Sequence, residues 1–261
     1  MKTPTMIILD LDNTLLRSDK TISSYTLSVL EKCRDKGIKV VFATGRAAQA
    51  TSRITALFPP DVLISYGGAL ATVGEKIIHH SGIPTGISFA LIQECLLSPE
   101  VLWINAANEE VALSNFPHTN DLEDYPQASD FAAYQDCDFS KNHNVSFLKI
   151  HIHVTSQKVI EDIASRYPMC NMLKYTGEDL YRFANINATK WDAVKAVAEY
   201  YSISTNALIA FGDDINDFDM IKNCGIGVAV ANAIDDVKTA ANYICDTCDN
   251  DGVAKWLEEY T

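Results

Sequence analysis

Apolar and polar residues follow two different rhythms along this chain, and the change between them divides it. Met6 to Leu11 and Ile38 to Ala43 are unbroken apolar runs of strand length, the pattern of strands covered on both faces. Between them Ser24 to Lys36 has helical spacing, opens among Ser23 and Ser24, and is stopped by Gly37. A third short strand, Val62 to Ser65, runs into Gly67-Gly68. Strand, helix and strand in this order predict β-α-β units and hence a parallel sheet with helices on both faces. The same rhythm returns late in the chain. Lys190 to Tyr201 sets Val194, Val197, Ala198 and Tyr201 on one helical face, Ala207 to Phe211 and Gly225 to Val230 read as buried strands, and Tyr243 to Cys245 as a short last one.

The middle differs. From about Gly82 to Ala184 a helix near Ile87 to Leu97 precedes paired strands near Val101 to Asn105 and Val111 to Ser114, then strand, helix and two strands through Phe183. The pattern predicts a Rossmann-like α/β core formed by residues 1–81 and 185–261, with an α+β domain inserted at 82–184. Within the insert, Val145 to Val154 alternates strictly, with Ile150, Ile152 and Val154 on one face and Lys149, His151 and His153 on the other.

Composition narrows the class. The 261 residues are 48% hydrophobic and 21% charged, enough apolar material for a packed core and unlike disordered or fibrous chains. Lys and Arg number 21 against 34 Asp and Glu, a net charge of −13, which argues against nucleic acid as the main partner. Residues 82–184 hold six of the cations and fourteen of the acids, and Glu109 to Asp138 contains eight acids and neither Lys nor Arg, the composition of a solvated surface. No apolar run reaches bilayer length, and Asp10 and Asp12 interrupt any signal-like segment, so a cytoplasmic protein without membrane contact is expected. The sequence does not fix the oligomeric state, with a monomer slightly favoured. Seven scattered cysteines do not form a disulfide framework; Cys245 and Cys248 have redox or zinc spacing but no second pair, and reduced, buried thiols are expected.

Two groups of acids carry candidate chemistry. Asp10 and Asp12 stand two residues apart at the carboxyl end of the first strand, where open α/β sheets place ligands; an Asx turn at Asp12-Asn13 is the plain alternative. Burying two such carboxylates is costly unless a cation compensates. Asp213, Asp214 and Asp217 follow another apolar strand. If the two strands are neighbours, Asp213 meets Asp10 and Asp12 around one oxygen-ligand site suited to Mg²⁺. Thr44-Gly45-Arg46 ends the second strand with a hydroxyl, a glycine and an expected helix start whose free N–H groups hold an anion, and Lys190 opens a helix and supplies a point positive charge.

Asp10-Leu11-Asp12-Asn13-Thr14, Ala43-Thr44-Gly45-Arg46, Lys190 and Gly212-Asp213-Asp214-Ile215-Asn216-Asp217 resemble, in order, the four motifs of the haloacid dehalogenase superfamily. The chain looks most like its Cof-type (subclass IIB) phosphatases, whose C2B-type cap is inserted between the second and third motifs. Ser65 to Ala69, Val230 to Ala233 and Asp251 to Ala254 fall where that subgroup has loops facing the site. The resemblance implies a Mg²⁺-dependent phosphatase acting on small phosphate monoesters, sugar phosphates above all, through an aspartyl phosphate on Asp10. It implies Asp12 as general acid and base with its carbonyl on the metal, Asp10 and Asp213 as side-chain ligands, and Asp217 in the outer shell. Thr44, Gly45, Asn216 and Lys190 would hold the phosphoryl oxygens. A phosphomutase using the same aspartates, or a non-catalytic regulator that binds Mg²⁺ and a phosphorylated metabolite, are the alternatives. Gly67-Gly68 and Trp191 depart from the subgroup's usual Asn-Gly and Lys-Gly, a difference that touches substrate identity rather than the reaction. If the cap lies over the site as in similar phosphatases, His151 and His153 contact the leaving group; a solvent-exposed strand face is the alternative. His79 and His80 are expected at the surface near the linker, and Trp103, Tyr175, Tyr181 and Arg182 are read as core or exposed residues.

Overall fold

The computed structural model describes residues 4–116, 135–141, 145–175 and 177–260. It divides into two compact units, Met1–His80 with Thr189–Thr261, and Ser81–Ala188. Residues 117–134 of the acidic stretch noted above lie outside the described residues. Among the described residues, no helix is long and apolar enough to cross a membrane.

The first unit is an eight-stranded sheet in the order β14-β13-β12-β1-β2-β3-β4-β5, with helices on both faces. Its strands are β1 (Met6–Leu9), β2 (Lys39–Ala43), β3 (Val62–Ser65), β4 (Leu70–Val73), β5 (Lys76–His80), β12 (Leu208–Gly212), β13 (Ile226–Val230) and β14 (Tyr243–Cys245). Six of them, from β14 to β3, run parallel. Every residue of β1 is fully buried, which explains its unbroken apolar run; burying each such side chain contributes about 1.5–3 kcal/mol. The chain leaves β1 toward β2 and β3 and later returns to the other side of β1 as β12. This reversal makes the carboxyl end of β1 a topological switch point, where backbone from neighbouring crossovers diverges and leaves a crevice.

Local chemistry sets the helix ends. Helix α1 (Ser24–Asp35) is capped by the Ser23 hydroxyl, which accepts from the Thr26 N–H at 3.0 Å. It closes in a Schellman turn, with Gly37 at φ +79°, its N–H on the Arg34 carbonyl and the Ile38 N–H on that of Cys33. The short α2 (Ser52–Leu57) follows β2.

Beyond β3 the sheet departs from the parallel expectation, since β4 and β5 pair antiparallel at its edge. They form a hairpin whose two-residue turn starts at Gly74, φ +57°, as such turns require. His79 therefore lies within a strand and is half-buried, while His80 is exposed.

The second unit has a six-stranded sheet in the order β10-β11-β9-β6-β7-β8. Helix α3 (Thr85–Leu96) leads to β6 (Val101–Ala107), β7 (Ala112–Ser114), β8 (Gln135–Asp136) and β9 (Lys149–Val154); α4 (Gln157–Ser165) then precedes β10 (Cys170–Lys174) and β11 (Leu180–Asn185). Ile150, Ile152 and Val154 join a core with Leu91 and Ile92 of α3 and Ile160 and Ile163 of α4, as their alternation requires. The opposite face of β9 is not solvated. Lys149 and His151 are 8% and 7% exposed and His153 is half-buried, so the exposed-face reading does not hold.

Helix α5 (Lys190–Tyr200) returns the chain to the first unit, followed by α6 (Phe218–Asn223), α7 (Asp235–Ala240) and α8 (Gly252–Tyr260). Thr189 caps α5, accepting from the Asp192 N–H at 3.0 Å. Trp191 packs against the core rather than standing free. Gly68, at φ +104°, comes so close that an added Cβ would lie 2.1 Å from the Thr189 carbonyl oxygen. Replacing it with alanine combines backbone strain with a clash against the start of α5. Gly68→Ala is expected to destabilise the protein by about 2–5 kcal/mol, read from the midpoint of urea unfolding; a loss below about 0.5 kcal/mol would refute this contact.

Candidate active site

Asp10 directly follows β1, and Leu9 pairs with Phe42 of β2 and Phe211 of β12, so Asp10, Thr44 and Asp213 all leave the same edge of the sheet. The strand neighbourhood on which a shared site depended is present. Oxygens of Asp10, Asp213 and Asp217 lie within 4.8 Å of one another. Asp10 is 5% exposed and Asp217 1%.

Lys190, itself 3% exposed, holds this group together. Its ammonium donates to Asp10 Oδ1 and Asp217 Oδ1, each at 2.6 Å. Burial alone would lower the pKa of Lys190, but the two carboxylates more than offset this and keep it above its ordinary range. Among the described residues two of its three N–H donors are engaged, which leaves one for another acceptor. The other oxygen of Asp217 accepts from the N–H groups of Asp213 (3.0 Å) and Asp214 (3.2 Å), which ties its carboxylate to the turn as well as to Lys190. Gly212 leaves room for it: an added Cβ would sit 2.4 Å from Asp217 Cβ. Asp213 Oδ1 accepts from the Thr14 hydroxyl at 2.9 Å.

Three carboxylates against one ammonium leave an excess of two negative charges in a buried place. Burial, only partly offset by Lys190, pushes the pKa of Asp10 well above the usual carboxylate range, with Asp217 and Asp213 adding to the rise. Asp213 is pushed up to about 6 by burial and by Asp217. A divalent cation neutralises two charges, and an all-oxygen donor set suits a hard one. Asp10 and Asp213 each have one oxygen not bonded to Lys190 or Thr14 that could hold such an ion, and Asp217 contributes to the same cluster of oxygens.

Asp12 stands apart from this group. The backbone between Asp10 and Asp12 does not continue as a strand, and Asn13 turns left-handed at φ +57°. The Asp12 carboxylate is 34% exposed and takes a two-pronged ion pair from Arg46, with Nη2 at 2.6 Å and Nε at 2.8 Å. Lys20 adds a third contact at 3.0 Å. Burial would raise its pKa, yet these two cations hold it at about 2. Arg46 and Lys20 carry no such role in the sequence reading. Arg46 was legible only as a motif residue, and Lys20 left no signal at all, because it arrives from the loop after the first motif.

The remaining motif residues are placed as follows. Thr44 is 1% exposed, and its hydroxyl accepts from the Arg46 N–H at 3.1 Å. Gly45 is exposed with open space around its Cα. The helix expected at Arg46 begins later, as a 3₁₀ turn over Ala48–Thr51, so Gly45 and Arg46 are not a helix N-terminus. Asn216 lies half-buried in the 3₁₀ turn Ile215–Asp217 that opens α6. The later loops brace the first motif: Asn232 donates to the Asn13 carbonyl at 2.7 Å, and Asp251 pairs with Arg17 at 2.7 Å. Cys245 and Cys248 are free and buried; burial pushes the Cys245 thiol up to about 12, which leaves it unreactive.

Comparison with known proteins agrees with this arrangement. A family model described as haloacid dehalogenase-like hydrolase matches residues 7–257. The 5-amino-6-(5-phospho-D-ribitylamino)uracil phosphatase YitU of Bacillus subtilis is 26% identical over 272 residues, spanning 98% of this chain and 97% of its own. Among solved structures, the subclass IIB sugar phosphatase BT4131 superposes with a TM-score of 0.85 at 23% identity over 98% of both chains. The phosphatase BT1666 of Bacteroides thetaiotaomicron does so with 0.83 at 25% identity, covering 98% of this chain and 95% of that one.

The raised pKa of Asp213 has a measurable consequence. The folded chain binds this proton more tightly than the unfolded one, so the group's contribution to stability is lost as pH rises from about 4 to 6. In metal-free protein, Asp213→Asn should match the wild type in Tm near pH 4 and exceed it by a few degrees at pH 7. Mg²⁺ should raise the wild-type Tm at pH 7 and leave the variant unchanged. Melting curves from pH 4 to 7 decide it; a pH-independent difference would contradict the charge excess described above.

Proposed function

Because the chain belongs to the haloacid dehalogenase-like hydrolase family, we propose that it is a phosphatase that uses Mg²⁺ to hydrolyse small phosphate monoesters, and that Asp10 is its nucleophile. The observation that carries this reading is the buried convergence of Asp10 with Asp213, Asp217 and Lys190 at the switch point of the sheet. Asp10 and Asp213 would hold the ion, with Asp217 supporting them from behind, and the ion when bound supplies positive charge to carboxylates and phosphoryl oxygens that would otherwise repel.

In the first displacement an oxygen of Asp10 forms a bond to phosphorus while the bond from phosphorus to the ester oxygen breaks, and a proton from Asp12 goes to the departing alkoxide. The product on the protein is an aspartyl phosphate. In the second, Asp12, now a carboxylate, takes a proton from water as that water bonds to phosphorus and the bond to Asp10 breaks, releasing inorganic phosphate. Two moderate barriers replace one high one. Lys190 keeps Asp10 from swinging away and has one N–H left for a phosphoryl oxygen. Thr44, Gly45 and Asn216 sit at the same sheet edge or the turn beyond it and complete the set offered to the phosphoryl group.

Asp12 needs a second consideration. Held by Arg46 and Lys20 it is ionised, the form required of the base but not of the acid. An arriving phosphoryl group offers Arg46 a competing bidentate anion. As Arg46 turns to it, Asp12 loses the partner that depresses its pKa and becomes able to carry the proton. For the leaving group, a sugar or polyol is the favoured class, since YitU is named for a phosphoribityl substrate.

A panel of phosphate monoesters assayed with and without Mg²⁺ tests the reading. Asp10→Asn should reduce turnover by more than about 10³-fold. Asp12→Asn should slow sugar phosphates by about 10²–10⁴-fold, and p-nitrophenyl phosphate far less, because its leaving group departs without a proton. Turnover by Asp10→Asn near that of the wild type would remove the nucleophile from Asp10.

A further inference from the structure

One amide side chain ties together three of the loops that leave the sheet edge bearing Asp10. After β13 the chain turns tightly, with the Ala233 N–H on the Val230 carbonyl at 2.9 Å, and Asn232 stands at the third position of that turn. Its Nδ2 donates to the Asn13 carbonyl at 2.7 Å, and its Oδ1 accepts from the Cys248 N–H at 2.9 Å. Those partners lie 219 and 16 positions away along the chain, in the loops after β1 and β14. The Ile234 N–H reaches the Asp213 carbonyl at 2.9 Å, so the same short loop also touches the end of β12.

The two side-chain bonds dictate the residue. A carbonyl partner needs a donor and an N–H partner needs an acceptor, and among side chains of this length only asparagine carries one of each on separate atoms. Aspartate would present an acceptor to the Asn13 carbonyl. What the bond fixes is visible around that carbonyl. The N–H groups of Leu15 and Leu16 return to the Asp10 and Leu11 carbonyls at 3.2 and 2.8 Å, bonds made inside the turn. The Asn13 carbonyl is instead held from outside it. Asn13 is left-handed at φ +57°, which asparagine tolerates better than most residues. Its carbonyl belongs to the peptide leading to Thr14, whose hydroxyl donates to Asp213 Oδ1 at 2.9 Å. Thr14 on Asp213 and Asn232 on Asn13 thus pin this peptide from two sides, and Asp12 is the residue immediately before it.

We propose that Asn232 is a positioning residue for Asp12, holding the Asn13 peptide so that the Asp12 carboxylate meets the departing ester oxygen and then the attacking water. This rests on the role given to Asp12 under the proposed function. Orientation of this kind is sensitive, because a shift of about 1 Å in a reacting group costs about 10²-fold in rate. Asn232 is exposed, so truncating it opens no cavity in the core. Its contribution is therefore expected in turnover rather than in folding.

The full-length protein at saturating Mg²⁺ tests this through kcat/KM, which ends with departure of the leaving group and so reports the acid step. Phenyl phosphate and p-nitrophenyl phosphate are the probes, since the first leaving group needs a proton and the second departs as the anion. Asn232→Ala should lower kcat/KM for phenyl phosphate by about 10-fold or more, and for p-nitrophenyl phosphate by less than about 3-fold. In an Asp12→Asn background the same substitution should change either rate by less than about 2-fold, because the residue it serves is gone. Asn232→Asp still accepts from the Cys248 N–H but cannot donate to Asn13, and should reproduce the selective loss. A merely structural asparagine would lower both esters alike and would add its loss to that of Asp12→Asn. Equal losses on the two esters, a loss that persists in the Asp12→Asn background, or unchanged rates in Asn232→Ala or Asn232→Asp would each overturn the proposal. Asp12→Asn alone separates the two levels. If it does not distinguish the esters, the role of Asp12 fails and this one with it; if it does while Asn232→Ala does not, only the positioning is overturned.

Discussion

The ammonium of Lys190, enclosed between Asp10 and Asp217, is the interaction on which the rest of the core's architecture turns. Desolvation would cost each of the three charges several kcal/mol if it stood there alone. Together they are tolerable, and their geometry is fixed from several directions. Thr189 caps the helix that presents Lys190, Gly68 lets the β3–β4 turn lie against that cap, and Gly212 leaves space for the Asp217 side chain. The same arrangement leaves more negative than positive charge, and that imbalance prepares the place for a hard divalent ion.

Asp10 and Asp12, two residues apart, have been given opposite environments. Asp10 is enclosed among other carboxylates and its pKa is driven up, whereas Asp12 lies at the rim and is drawn down by Arg46 and Lys20. Environments that separate the pKa values of neighbouring carboxylates are how one site assigns distinct tasks to identical side chains. The break in strand geometry between Asp10 and Asp12 produces this separation. Extended backbone would have turned both carboxylates the same way and made them compete.

Two buried cations, Lys190 and Arg182, show how differently burial can be resolved. The first is paired within the chain and serves as scaffold. The second has no internal partner among the described residues, and on the strands beside it Nδ1 of His151 and Oδ1 of Asn105 are equally in want of one. Burying an unpaired guanidinium costs stability.

Periodicity and spacing alone identified the apolar strands and the helices beginning at Ser24 and Lys190, and they placed Asp10 and Asp213 at the ends of two such strands. These are readable because each depends on a residue's near neighbours, or on the rule that parallel strands deliver their carboxyl ends to one edge. Partnership is another matter. Lys190 and Asp10 are 180 positions apart, and only packing of α5 against the sheet shows that the lysine holds carboxylates. Arg46 takes Asp12 because β2 lies beside β1, and a distant loop contributes Lys20. The antiparallel edge strands β4 and β5 carry half-exposed residues whose pattern is weak beside that of the buried strands. On β9 the alternation separates two faces but cannot say which is solvated, since a polar face enclosed in the fold and one open to water have the same sequence. Whether a side chain finds a partner is decided by which surfaces meet, and for Arg182 that is a property of the tertiary structure.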